Sequence, residues 1–234
     1  VELSDGSDWS APSGAKGAGE LVRPSPRAAA KRPSAESELS RISKEVAACR
    51  ACPLGAQRIQ AVPGVGSPEA KVMFVGEGPG FDEDHKGEPF VGRSGQLLDK
   101  IMEAIGLSRK TVYIANIVKC HPMSDPSDPE KRGNDRPPTP AEMDACRHWL
   151  EEQIRAIRPK VIVTLGASPA KALLRDMTPI TKIRGQWREF DPGGGLPPVK
   201  LLPTFHPAAL LRNPDLKRDV WTDMKALREE LNRP

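Results

Sequence analysis

The sequence predicts an α/β fold, a three-layer αβα sandwich around a four-stranded, mostly parallel sheet. Three observations lead there. Short apolar runs such as Val72-Met-Phe-Val75 have the texture of strands buried on both faces. Helical periodicities alternate with those runs, as in a sheet covered on both sides. Every unusual motif falls just after an apolar run, where open α/β sheets bind their ligands.

The elements follow in order. Residues 1–40 are expected to be a disordered tail. Ser, Pro, Gly and Ala fill 23 of those 40 positions, and the scattered apolar residues cannot offset the entropy of ordering. The folded domain is placed at 41–234. A short helix runs from Ile42 to Ala48, and an irregular stretch carries Pro53, Pro63, Gly64 and Gly66. Val72 to Val75 is the first strand. Leu97, Leu98, Ile101 and Ile105 lie on one face of a helix over Gly95 to Ile105, which Gly106 stops. The β-branched stretch Thr111 to Val118 is the second strand. Thr139-Pro-Ala-Glu142 is a capping box with Pro at the first helical position, opening a helix to about Ile157. Lys160 to Leu165 is the third strand, and Ser168-Pro169 opens another helix. Ile183 to Phe190 and Val199 to Thr204 flank Gly193-Gly-Gly195, and the second of these segments is the fourth main strand. Asn213-Pro214 caps a last helix with Leu216, Val220, Met224, Leu227 and Leu231 on one face.

Composition narrows the class. The chain carries a net charge of +4. The tail is slightly acidic, so the basic excess lies on the folded part and permits a polyanionic partner. No apolar run is long enough to span a membrane, and Val1 to Glu20 shows no secretory signal. The expected setting is therefore cytoplasmic and reducing, where the four cysteines bind metal or do chemistry rather than pair. Cys49-Arg-Ala-Cys52 is a C-x2-C pair, with Cys120 and Cys146 as distant singles. Four thiols without a spare suit one four-thiolate site. Spacing alone leaves iron–sulfur, zinc and inert core cysteines open.

Gly76-Glu-Gly-Pro-Gly80 lets backbone approach a ligand but is neither a phosphate loop nor a dinucleotide fingerprint. Glu77 stands between two of its glycines. Glu83 follows in an Asp-Glu-Asp run that also fits a solvated acidic patch. Phe90 sits on a loop and could stack on a flat ligand or fill local core. Asn116 ends the second strand. His206 precedes Pro207 after the fourth.

The segment GEGPGFDEDHKGEPFVGRSGQLLD, Gly76 to Asp99, resembles the first motif of the family-4 uracil-DNA glycosylases, which carry an iron–sulfur cluster. Asn116-Ile-Val-Lys-Cys120, the Thr-Pro-x-Glu helix with Cys146, Arg158 to Gly166, and His206-Pro-Ala-Ala-Leu-Leu-Arg212 are similar to that family's later blocks, in its order. The resemblance covers about residues 45 to 231. It implies a [4Fe-4S] cluster on Cys49, Cys52, Cys120 and Cys146. It implies that Phe90 stacks on a flipped uracil, Asn116 reads its polar edge and His206 donates to a uracil oxygen. Gly78 is expected to supply a backbone N–H, and Glu77 to position the attacking water, with Glu83 as second candidate. Leu210 or Leu211 is expected to wedge into the base stack. Lys86, Arg93, Lys119, Arg184 and Arg212 are candidate phosphate contacts.

The activity so implied is excision of uracil from single- or double-stranded DNA by hydrolysis, leaving an abasic site without a lyase step. A monomer is expected, with the tail available to a replication or repair partner. One departure stands out. The stretch from His121 to Gly133 is longer than the family's usual connection. A related subgroup inserts a basic loop there whose histidine becomes covalently linked to the abasic sugar; here Lys131-Arg132 has no histidine after it. Ordinary hydrolysis is the favoured expectation. A cross-linking protein, a non-catalytic nucleic-acid-binding protein on the same fold and a zinc-stabilised enzyme are the competing readings.

Overall fold

The computed structural model describes residues 33–233. The expected tail over residues 1–32 therefore lies outside the described residues. The first helix, α1 (Ala35–Ala48), is longer than the sequence suggests. Ser34 caps it, its hydroxyl accepting the Ser37 N–H, and Ile42 and Val46 are buried. The Ser- and Ala-rich residues from 35 to 40 are thus helical, which moves the ordered boundary into the predicted tail. A short turn, α2 (Leu54–Gln57), follows the C-x2-C pair.

The sheet has six strands: β1 (Val65–Gly66), β2 (Val72–Gly76), β3 (Tyr113–Asn116), β4 (Val161–Leu165), β5 (Arg188–Phe190) and β6 (Val199–Thr204), in the order β1-β3-β2-β4-β6-β5. The inner four are parallel, as expected. The edges add two short antiparallel strands that the sequence does not announce. At two and three residues they are too short to carry an alternation pattern.

Adjacent residues of each inner strand enter opposite cores. Met73 and Val75 join Tyr113, Ala115, Ile162 and Leu201 on one face. The helices α5 (Pro140–Ile157) and α6 (Ala167–Leu174) cover it, and α1 packs on α5. Val72 and Phe74 join Ile114, Val161, Val163 and Leu202 on the other. That face is covered by α4 (Arg93–Glu103), α8 (Pro207–Arg212) and α9 (Leu216–Leu231). Period-two alternation with both faces apolar is what three layers require. The capping box of α5 forms as predicted, with Thr139 Oγ1 accepting the Glu142 N–H and Glu142 accepting the Thr139 N–H. Two short helices complete the chain, α3 (Phe81–Lys86) after β2 and α7 (Ile180–Ile183) before β5.

Candidate functional site

The four inner strands end together, and their C-terminal loops wall a cleft of about 680 Å³. Glu77, Gly78, Glu83, Phe90, Asn116, His206, Leu211 and Arg212, all named from the sequence, line it. Parallel register makes this possible, because Gly76 of β2 pairs with Asn116 of β3.

Phe90 is the most constrained residue of the cleft. It is buried, with φ at 55°, a left-handed conformation unusual for a bulky side chain. The Arg109 guanidinium holds the Pro89 and Phe90 carbonyls, and Arg109 is itself paired to Asp99 at 2.7 Å. Gly95 lies under the Phe90 carbonyl, where any Cβ would collide with it. At the other end, a Cβ on Gly76 would stand 2.6 Å from Phe90 Cζ and would also strike Asn116 Oδ1. Gly76 is therefore the spacer that lets the ring and the amide lie side by side.

Asn116 is 1% exposed and its Oδ1 has no hydrogen-bond partner. A buried amide left open in this way is matched by whatever fills the cleft. His206 lies 5.6 Å from the Phe90 ring, centroid to centroid. Its Nδ1 accepts the Ala208 N–H at 3.1 Å and so caps α8. Burial, with the Arg212 charge adding to it, pushes the imidazole down to about 4. His206 is therefore neutral, and the occupied Nδ1 places its proton on Nε2 as a free donor. Glu77 follows β2 and accepts a hydrogen bond from Ser168 Oγ at the start of α6.

Glu83 has a different occupation. Its two oxygens accept the N–H groups of Gly80, Val91 and Gly92, at 3.2, 2.9 and 3.1 Å. It closes the N-terminus of α3 and ties that helix to the Phe90 loop. Leu211 is 44% exposed at the cleft rim, whereas Leu210 is 2% exposed and packs in the core. Of the five basic residues singled out, Arg93 and Arg212 border the cleft. Lys119 is buried, Arg184 is paired with Asp223 inside the domain, and Lys86 lies elsewhere.

The long connection after Cys120 forms the remaining wall. Asn134 folds it back on itself, donating to the Asp125 and Asp128 carbonyls at 2.6 and 3.0 Å. Arg136 forks onto Glu142 at 2.7 and 2.8 Å, which drops that carboxyl to about 2. Arg132 lies 4.4 Å over the Phe81 ring and bonds Asp82 at 3.1 Å. His121 is fully buried between Asp135, at 2.7 Å, and Asp84, at 3.4 Å. Ser168, Arg132 and Arg136 are the cleft residues the sequence reading missed. Ser168 stands just beyond Gly166 at a strand end, and that position was the signal available.

Cys49, Cys52, Cys120 and Cys146 line a second, separate cavity with Val46, Gly55, Arg58 and Trp149. Its donor set is four sulfurs, and the Trp149 Nε1–H beside them is buried without a partner. Four soft donors around one cavity, with an N–H that lacks an acceptor, are a donor set that fits an iron–sulfur group.

Residues 63–225 match the family model described as the uracil DNA glycosylase superfamily. The type-4 uracil-DNA glycosylase of Archaeoglobus fulgidus is 40% identical over 195 residues, 82% of this chain and 92% of that one. Those of Sulfurisphaera tokodaii and Thermotoga maritima are 42% and 43% identical. They align with 82% and 79% of this chain, and with 84% and 90% of their own lengths. The matched region holds the whole sheet and all the cleft-lining loops, so the chain belongs to the uracil-DNA glycosylase superfamily, among the type-4 members.

Proposed function

We propose that this protein excises uracil from DNA by base flipping and hydrolysis, using the cleft at the strand ends. The observation that carries the reading is the trio of Phe90, Asn116 and neutral His206 around one space. A flat ring can stack on Phe90. The Asn116 amide pairs with the O4 and N3–H edge of uracil. Cytosine presents the opposite pattern and would leave buried polar groups unmatched. The His206 Nε2–H faces an oxygen on which negative charge grows as the glycosidic bond breaks. One pre-aimed donor of this kind is worth roughly 2.7–4 kcal/mol.

The C1′–N1 bond breaks with its electron pair leaving on uracil, water adds to C1′, and the proton that water gives up is balanced by protonation of the uracil anion from solvent. Glu77, oriented by Ser168, positions that water and faces the cationic sugar. Glu83 is better read as a positioning residue, because three backbone N–H groups already occupy its oxygens. Leu211 rather than Leu210 is the wedge, and Arg93 and Arg212 take phosphates. Leu211→Ala is expected to weaken flipping about tenfold, read by 2-aminopurine fluorescence beside the uracil, without loss of thermal stability. Gly76→Ala should fold and yet raise the inhibition constant of free uracil at least tenfold, because its Cβ crowds both Phe90 and Asn116.

Cys49, Cys52, Cys120 and Cys146 are the residues that would hold a [4Fe-4S] cluster, which when bound cross-links the C-x2-C segment to the domain. The folded domain, which opens with α1 rather than at residue 41, is read as a cytoplasmic monomer acting on single- or double-stranded DNA, with a repair partner contacting the residues before it. No described helix is long and apolar enough to cross a membrane. A covalent alternative needs a nucleophilic histidine at the cleft in the long connection, and its one histidine, His121, is buried between two carboxylates.

The test uses labelled oligonucleotides with one uracil, cytosine or thymine, followed by hot alkali. Cleavage at uracil alone is expected. Alkali-stable uracil oligonucleotide with a brown, folded protein would reject the reading in favour of a binding protein.

A further inference from the structure

Lys119 is 1% exposed, yet its ammonium faces no carboxylate. It donates only to neutral groups, the Asn116 carbonyl at 2.8 Å and Gln153 Oε1 at 2.7 Å. A buried cation without a counter-charge is costly, and native proteins pair it. Arg58 is only half-buried, but it likewise has no carboxylate partner. Its Nη1 donates to Cys120 Sγ at 2.8 Å, and its Nη2 to the Val46 and Ala47 carbonyls at 3.0 and 2.6 Å. Neither cation forms an ion pair among the described residues, and both stand at the four-cysteine cavity. The other charges nearby are accounted for. His121 is held by Asp84 and Asp135, and Arg50 is exposed to screening solvent.

We propose that Lys119 and Arg58 are the built-in counter-charges of the cluster, and that Lys119 links the cluster to the uracil-reading residue. The inference rests on the cluster assignment made above. A four-iron core with two positive charges, held by four thiolates, has a net charge of minus two. Two cations without carboxylate partners balance it. The Lys119 backbone N–H also donates to Cys146 Sγ at 3.3 Å. One residue therefore touches a cluster ligand through its backbone and the Asn116 carbonyl through its side chain. The cluster's charge keeps the ammonium in place, and the ammonium holds the end of β3 where Asn116 projects. Lys119 is a positioning residue in this scheme and does not contact uracil.

The test uses the cluster-loaded full chain, purified without oxygen, with Lys119→Met, Lys119→Arg, Arg58→Gln and the double variant Lys119→Met/Arg58→Gln. Iron and sulfide are measured first, then the cluster midpoint potential and the rate of cluster loss to an iron chelator. Removing a nearby positive charge disfavours the added electron. Lys119→Met and Arg58→Gln should each move the midpoint to more negative values, and the double variant by about the sum. Loss to chelator should quicken about tenfold, while Lys119→Arg stays close to the parent. Free-uracil inhibition should weaken about tenfold in Lys119→Met and less in Arg58→Gln, because only Lys119 holds the Asn116 carbonyl. Loaded Lys119→Met and Arg58→Gln variants with unchanged potential and chelator resistance would overturn the proposal. If Lys119→Met does not fold, Arg58→Gln and Lys119→Gln decide it on the same two readouts. A parent protein without iron and sulfide would remove the cluster assignment itself, and this inference with it.

Discussion

His206→Ala lowers the single-turnover rate of uracil excision by about 10²–10³-fold, while affinity for uracil-containing DNA changes little. The reason is the asymmetry of the two ring nitrogens. Nδ1 is committed to the Ala208 N–H, so Nε2 carries the proton and is the donor left for the cleft. That donor acts on charge that grows only in the transition state, so its loss falls on rate rather than binding. The same substitution removes the cap of α8, which complicates its effect on stability. His206→Asn separates the two, since Asn caps helices well but is too short to reach as the imidazole does. It should keep the thermal midpoint within a few degrees and share the rate defect. Burial and Arg212 hold the imidazole at about 4, so His206 stays neutral between about pH 5 and pH 8. Excision should therefore not rise on acidification through the ordinary histidine range, as it would if an imidazolium were the donor. Between about pH 4 and 6.5 the unfolded chain binds a proton that the folded chain refuses. Stability consequently falls as pH drops through that window, and His206→Asn removes that part of the slope.

Glu77→Gln lowers the excision rate by about 10²–10⁴-fold, the range of a positioned acid–base group. The carboxylate stands at the end of β2, and its orientation comes from Ser168 Oγ across the cleft. Gln keeps the size and loses the charge that faces the cationic sugar. Free-uracil inhibition, which depends on Phe90 and Asn116, should stay within about twofold of the parent. Ser168→Ala leaves the carboxylate in place but unoriented, with a loss of about tenfold. If Glu83→Gln matched Glu77→Gln in rate with the fold intact, the two carboxylates would have to exchange roles.

The inner strands were legible because parallel strands buried on both faces are continuous apolar runs. The α5 start was legible because a capping box is a local signal that nothing distant overrides. The cleft was legible because unusual residues followed each strand. What escaped notice depends on partners far away in sequence. Glu83 looks solvated in an acidic run, and only the fold brings Val91 and Gly92 to its carboxylate. Leu210 and Leu211 are neighbours in sequence, and only helix packing separates core from rim. Lys119 reads as a surface charge until β3 and α5 enclose it. Arg132 seems an ordinary loop cation until Phe81 lies beneath it. The opening of α1 was hidden by a composition shared with the tail, although Ser34 was an available cap.

The most direct measurement is the amount of free uracil released per protein chain from excess single-uracil oligonucleotide. Hydrolysis at the cleft gives many equivalents of uracil, and the protein runs unshifted on a denaturing gel. Release that stops near one equivalent, with a covalent protein–DNA band, or no release at all, would contradict it.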